Sequence, residues 1–413
     1  MVNRLEKLAA WAVLGLLLIG ADLIGNLSAY GYSIILLASL PLMLTSRDRR
    51  SRMMRLESVS YLLAFLLLLT AFVLSAQAAS DVQYAGNFLF FLMFMPAVSL
   101  LAANAGPKSS LIFASLALLG AACALIWAIY EVNILGVARV VGFVNLTNPY
   151  AMAAVMLGFL ATMGFFAGRG ISRFVFLLGP VLATGTALLA GTRSAVVMLA
   201  GLGVLFLAFW IWTLKGRSRF LAAGTVLVGL ILAIVVSVVF ADDLRALSAF
   251  NTIAVFLGQG EAIDYSTEIR LNLYYGGLQA FLESPIFGHG WWHHVEAARP
   301  YMSPQVQADT VRWSHLHNDY VNFAALAGVM GLLAYLLYMV TPIIGATRSP
   351  RDSQYLPRLY GAAVLALCYA IFGLFDTSFS MEVLLGFGPV CAAALLGFCV
   401  DVPSRQRPKA NLT

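Results

Sequence analysis

TSRDRRSRMMRLESVSYLLAFLLLLTAFVLS, residues 45–75, decides the fold. A block holding Arg47, Arg49, Arg50, Arg52 and Arg55 runs into residues 57–75, which carry no charge after Glu57. At about 1.5 Å rise per residue, a helix of that length crosses most of a hydrocarbon layer roughly 30 Å thick. Similar runs recur on both sides, near 8–25, 30–45, 88–105, 111–130, 150–168, 174–192, 195–214, 220–240, 319–345, 359–375 and 383–400. Of the 413 residues, 61% are hydrophobic and 11% charged, against roughly 45–50% and about 25% in soluble domains. Too little charge is present to cover a water-soluble surface. The expectation is an all-α polytopic membrane protein with about twelve transmembrane helices.

The basic block also sets the topology. With a cytoplasmic N-terminus, nineteen of the 25 basic residues fall on inside segments, as expected when positive residues resist translocation. The outside keeps only Arg139, Arg193, Arg245, Arg270, Arg299 and Arg312. The net charge of +6 is therefore a topology signal, and no nucleic-acid partner is expected. Both termini are placed in the cytoplasm, and the first apolar run is read as an uncleaved span. Cys123, Cys368, Cys391 and Cys399 fall within spans at no metal or disulfide spacing, and read as small buried residues.

The division expected is 1–240 as helices one to nine, 241–318 as a large periplasmic loop, 319–402 as helices ten to twelve, and 403–413 as a cytoplasmic tail. The loop holds all five histidines and eight of the nineteen acids, and a loop so long is usually functional. Within it, YSTEIRLNLYYGGLQAFLE (265–283) reads as an amphipathic helix with Ile269, Leu271, Leu273, Tyr274, Leu278, Phe281 and Leu282 on its apolar side, stopped by Ser284-Pro285. Trp291, Trp292 and Trp313 read as interfacial-belt residues. No nucleotide-binding or zinc-protease motif is present, so the energy for any chemistry must arrive with the substrate.

The densest local signal is SHLHNDYVNFAALAGVMG, residues 314–331. His317-Asn318 opens the span after the loop, followed after nine residues by Gly328 and then by Gly331. It resembles the His-(Asn/Ser/Gln)-x9-Gly-x-x-(Gly/Thr/Tyr) motif of the superfamily of O-antigen ligases, O-antigen polymerases and pilin O-oligosaccharyltransferases. Its histidine is expected on the helix's first turn. Three further stretches resemble the same family: GFVNLTNPYA (142–151), TGTALLAGTRSA (184–195) and EIRLNLYYGGLQAFLESPIFGHG (268–290). Together with the topology, the resemblance covers residues 60 to 400.

The resemblance implies a GT-C-like fold and transfer of O-antigen glycan from undecaprenyl diphosphate to an acceptor sugar, with Arg193 and Arg270 holding the donor diphosphate and His317 as the catalytic base. The chemistry suits these residue types. Arginine stays charged and forks onto phosphate, and a neutral imidazole can take a hydroxyl proton near pH 7. Direct attack inverts the anomeric centre, and no metal or cofactor is needed. Arg139, His315, Asp376 and Asn148 are possible supporting residues. Each also has a plain structural reading: Arg193 as a helix-end cap, Asn148 as an N-cap before Pro149, Arg270 as a solvated residue near Glu268, and Asp376 as a partner for an arginine. His315 falls roughly opposite His317 on a helix. His293-His294 beside Glu296 invite a metal, yet adjacent histidines point apart.

Within the family a ligase acting on the lipid A-core acceptor is favoured, in the bacterial inner membrane with a periplasmic site. Polymerases show two large outside loops with Arg-x10-Gly patterns, whereas Val204 and Phe281 stand at that offset here. Protein-directed oligosaccharyltransferases carry an added C-terminal region. A small-anion transporter is the rival of another class, disfavoured because no charge lies well inside a span.

Overall fold

The computed structural model describes residues 2–20, 47–142, 146–216, 218–221, 224, 265–378 and 382–401. Helices occupy most of these residues, and no strand occurs among them. In order they are α1 (Val2–Leu18), α2 (Arg47–Met53), α3 (Leu56–Ser75), α4 (Phe94–Ala102, preceded by a 3-10 stretch Ala79–Met93), α5 (Ser109–Ile129), α6 (Thr147–Ala161), α7 (Met163–Ala167), α8 (Leu178–Ala190, preceded by a 3-10 stretch Ile171–Leu177), α9 (Arg193–Thr213), α10 (Tyr265–Glu283), α11 (His293–Ala298), α12 (Pro304–Asp309), α13 (Asp319–Arg348), α14 (Tyr355–Phe372) and α15 (Glu382–Ala393). Among the described residues, eight helical stretches are long and apolar enough to cross a membrane, and Val383–Phe398 is a shorter apolar one. The protein is an all-α, multi-pass membrane protein. The spans expected at 30–45 and over most of 220–240, the loop portion 241–264 and the tail lie outside the described residues.

α6 is the axis of the bundle. Every residue from Pro149 to Ala161 is buried, because its apolar residues run all round the helix rather than along one stripe. Small residues let neighbours close in: a Cβ at Gly158 would lie 2.6 Å from the Gly179 carbonyl oxygen in the first turn of α8. In lipid, where apolar surface gains little by leaving solvent, such close backbone packing supplies much of the association. Cys368, Cys391 and Cys399 are buried, Cys123 half-buried, and all four are free thiols, as expected.

Alternating helices give the bundle two ends. One gathers Arg55, Gly106, Ser349, Asp352, Arg358 and Asp401. The Arg358 side chain is fully buried, donating to Ser349 Oγ (2.7 Å), Asp352 Oδ1 (3.2 Å), the Cys399 carbonyl (2.6 Å) and the Pro350 carbonyl (2.5 Å). A residue counted only as a topology charge is thus a structural knot tying the start of α14 to the chain's last described turn.

The other end is built on broken backbone. α13 departs from helical geometry at Ala327 and Gly328, the latter at φ 61° and ψ −149°. Its first two turns fold back on the rest: the Phe323 and Tyr335 rings stack at 5.4 Å, and a Cβ at Gly331 would overlap the Phe323 carbonyl. The turn after α10 satisfies the freed groups. His289 and Gly290 N–H donate to the Ala325 and Leu326 carbonyls at 2.9 Å each, and Val329 N–H donates to the Pro285 carbonyl at 2.8 Å. Irregular backbone at membrane depth is tolerated only where protein supplies such partners. Gly288 and Gly328 sit at positive φ with each other's segment where a Cβ would be, so two motifs about forty residues apart form one unit.

α10 occupies the bounds its sequence pattern gives, but its apolar side divides. Leu273, Gly276, Gly277 and Ala280 pack inward, whereas Leu278 and Leu282 are 50% and 60% exposed.

Candidate functional site

Three helix ends meet where α13 begins. His317 precedes α13 rather than lying on its first turn. Asn318 is the N-cap, its side-chain oxygen accepting from Val321 N–H. His317 has φ 51°, the lone non-glycine residue in the left-handed region among the described residues. Such backbone costs about 1–3 kcal/mol and persists where its surroundings fix it. Here the Tyr274 hydroxyl donates to the His317 carbonyl (3.0 Å), the Asn318 amide donates to the Leu374 carbonyl (3.0 Å), and Asp319 N–H donates to the Gly373 carbonyl (2.7 Å).

This clamp presents the His317 ring to Asp376, just beyond α14. Nδ1 and Asp376 Oδ1 lie 2.9 Å apart; facing a carboxylate acceptor, Nδ1 is the donor, and in the neutral tautomer Nε2 then keeps the lone pair. The other carboxylate oxygen accepts from the Asn148 amide at 2.6 Å, and Thr377 N–H donates to Oδ1 at 2.9 Å. Burial pushes the Asp376 carboxyl up, but the bond and charge of His317, with the Asn148 and Thr377 donors, outweigh it and hold it near 2. The His317 side chain stays 23% exposed and that of Asp376 11%, so the imidazole remains partly open to solvent.

Two sequence readings are corrected here. Asn148 is not the N-cap of α6: Leu146 is, and the Asn148 amide is spent on Asp376. His315 does not sit opposite His317. Residues 311–318 are not helical, so the helical offset does not apply, and the two rings lie 4.4 Å apart. Burial drops the His315 ring to about 4, with His317 adding to the effect, so it is neutral at pH 7. Trp313 packs edge-on to the His317 ring at 4.8 Å.

The arginines divide into two groups. Arg270 lies one turn before Tyr274 on α10, near enough to oppose the burial that lifts the Tyr274 phenol to about 12, and it makes no ion pair among the described residues. Arg193 opens α9 behind Thr192, whose hydroxyl caps no helix N–H. Arg139 packs beside this turn, its Nε donating to the Ala190 carbonyl (3.0 Å) and its Nη2 to the Gly191 carbonyl (3.4 Å). Its first role is therefore to cap α8. α9 runs antiparallel to α14, with Gly201 against Ile371, so Arg193 and Asp376 project from the same end of the bundle. No hydrogen bond joins Arg193 to His317 among the described residues.

Two residues to which the sequence reading gave no part in the site organise this end. Glu131 accepts from Trp127 Nε1 (2.8 Å), Val141 N–H (2.8 Å) and Gly142 N–H (3.1 Å), shaping the loop that carries Arg139. An acid following an apolar helix and preceding a glycine-punctuated turn was the available signal. His294 Nε2 meets Asn322 Oδ1 at 3.1 Å, and the same oxygen accepts from Leu316 N–H at 3.0 Å, pinning the backbone between the two site histidines. Burial lowers His294 to about 4. His293 points away, 3.6 Å from Asp81 and 3.4 Å from Glu296.

Residues 178–336 match the family model described as O-antigen ligase. The match takes in Arg193, Arg270, His315, His317 and Gly328, and leaves out Arg139, Asn148 and Asp376. An uncharacterized protein of Haemophilus influenzae is 25% identical over 195 residues, 47% of this chain. The alignment spans 48% of that relative, about half its length.

Proposed function

Taking residues 178–336 as a domain of the O-antigen ligase superfamily, we propose that the protein is a membrane glycosyltransferase moving glycan from a polyprenyl diphosphate to an acceptor hydroxyl, with His317 as base. The observation that carries this reading is the His317–Asp376–Asn148 chain at the meeting of three helix ends. Nε2 of His317 takes the acceptor hydroxyl proton. The freed oxygen attacks the anomeric carbon as its bond to the diphosphate oxygen breaks, and the leaving diphosphate takes the electron pair. Asp376 holds the tautomer and stabilises the imidazolium, an orienting role that a carboxylate plays for catalytic histidines elsewhere, and Asn148 fixes the carboxylate.

Negative charge grows on the diphosphate as the bond breaks. Arg270 and Arg193 meet it, reinforced by the N-termini of α9 and α13, whose N–H groups and dipoles favour anions. Charge preorganised this way acts most strongly in the transition state. Within the superfamily the finer reading is ligation of O-antigen from undecaprenyl diphosphate onto a lipid A-core sugar, in the bacterial inner membrane with the His317 end in the periplasm. Support comes from the single large loop and the absence of an Arg-x10-Gly pattern at Arg193 and Arg270. The exposed Leu278 and Leu282 of α10 suit a helix resting in the outer leaflet, beside a lipid's point of entry.

Purified protein given undecaprenyl-diphosphate-linked glycan and lipid A-core is expected to yield the joined product. Longer lipid-linked glycan instead identifies a polymerase. Anion flux in proteoliposomes without any transfer contradicts the enzyme reading.

A further inference from the structure

We propose that His315, His317 and Asp376 bind a divalent transition-metal ion, zinc foremost, and that the ion blocks the site. One ring nitrogen from each histidine and one Asp376 oxygen all lie within 4.8 Å of one another. Zinc binds imidazole nitrogen at about 2.0–2.1 Å and carboxylate oxygen at about 2.0–2.2 Å, which sets neighbouring atoms of a tetrahedral site about 3.3 Å apart. His317 and Asp376 already meet this within a few tenths of an ångström, at 2.9 Å. His315 must close by at most about 1.5 Å to reach the same spacing. It sits in a non-helical turn, its one side-chain hydrogen bond among the described residues being a 3.3 Å contact with Ser314 Oγ, so its ring can swing without disturbing a helix.

The ligand chemistry suits zinc rather than calcium or magnesium, which prefer all-oxygen sets. Two imidazoles and one carboxylate also leave a fourth position for water, as in catalytic zinc sites. The carboxylate is braced by Asn148 and Thr377, and such outer hydrogen bonds commonly tune metal affinity. No comparable set exists at His293, where a single imidazole faces Asp81 and Glu296.

Blockade follows from the atoms engaged. Zinc bound through Nδ1 of His317 takes that nitrogen's lone pair, so the ring proton moves from Nδ1 to Nε2, which then has no lone pair to accept with. Zinc bound through Nε2 occupies the lone pair that accepts the hydroxyl proton. Either way the imidazole is lost as a base. Metal binding rests on the geometry alone, whereas inhibition rests also on the transferase reading.

The test titrates full-length protein in detergent with zinc chloride by calorimetry, and with cobalt chloride by visible absorption. One saturable site is expected, with cobalt bands typical of low coordination number. His315→Ala and His315→Gln should each weaken zinc on the order of 10-fold or more, and His293→Ala should leave it unchanged. Zinc should inhibit transfer over the same concentration range, reversibly with chelator, and less sensitively in His315→Gln. Absence of saturable binding, undiminished affinity in both His315 variants, or loss of binding with His293→Ala each overturns the proposal. Zinc binding without transferase activity instead upholds the site and defeats the functional reading.

Discussion

The two ends of the bundle handle buried charge in opposite ways. At the Arg358 end a guanidinium with no exposure is answered by a carboxylate, a hydroxyl and two carbonyls, leaving nothing for a ligand. At the His317 end an imidazole is held on strained backbone and left partly exposed, and Arg270 keeps no carboxylate partner among the described residues. The first arrangement spends its hydrogen bonds on the fold. The second spends them on holding a few groups ready. Charge in a membrane protein therefore marks function only where its partners leave some capacity unused.

This contrast can be broken most sharply by exchanging the consequences of mutation. His317→Ala should lower transfer on the order of 10²–10⁴-fold, the range typical of a lost general base, while the melting temperature stays near wild type. Arg358→Ala should do the reverse, costing about 3–5 kcal/mol by stranding Asp352 while the folded fraction keeps its specific activity. Thermal unfolding and initial-rate assays on both variants decide the matter, and similar profiles for the two would erase the distinction.

A pH series sharpens it next. His294 is buried and neutral, lowered from 6.5 to about 4, so between these values the unfolded chain binds a proton that the folded protein refuses. Stability is at its full value above about pH 6.5, falls as pH drops, and by pH 4 has lost about 3 kcal/mol from this group. His294→Gln should flatten the slope of melting temperature against pH in that window. An unchanged slope assigns the acid sensitivity elsewhere.

Much of this was legible in one dimension. Apolar runs of spanning length located most of the described helices to within about four residues, although Val2–Leu18 and Ala79–Ala102 begin well before the spans expected there, since nothing in lipid competes with internal hydrogen bonding. The period of α10 fixed its bounds, and the spacing from His317 to Gly328 and Gly331 pointed to close backbone approach. What stayed hidden depends on contacts between distant segments. Asn148 and Asp376 are 228 residues apart, and nothing local to either announces the other. His315 was misplaced because a helical offset was applied to a turn. The break in α13 was invisible because Gly328 fits a helix interior as readily as a positive-φ corner. The exposure of Leu278 and Leu282 beside the buried Leu273 shows that an apolar stripe does not say which neighbour it faces.

Smaller effects probe the donor side. Arg270→Lys keeps the charge but loses the fork, and should lower kcat/KM on the order of 10-fold, or about 1.4 kcal/mol. A full retention of rate would remove Arg270 from the diphosphate. Asn148→Ala should act more weakly, on the order of a few-fold through a loosened Asp376, with the pH–rate profile shifted.

The most direct measurement is a double-mutant cycle on transfer rate with His317→Ala, Asp376→Asn and the pair, all at matched folded protein. If Asp376 works through the imidazole, Asp376→Asn slows the parent protein strongly and adds almost nothing once His317 is gone, because residues acting as a unit are not additive. Independent, multiplying losses would contradict the dyad, as would an Asp376→Asn protein that transfers at the parental rate.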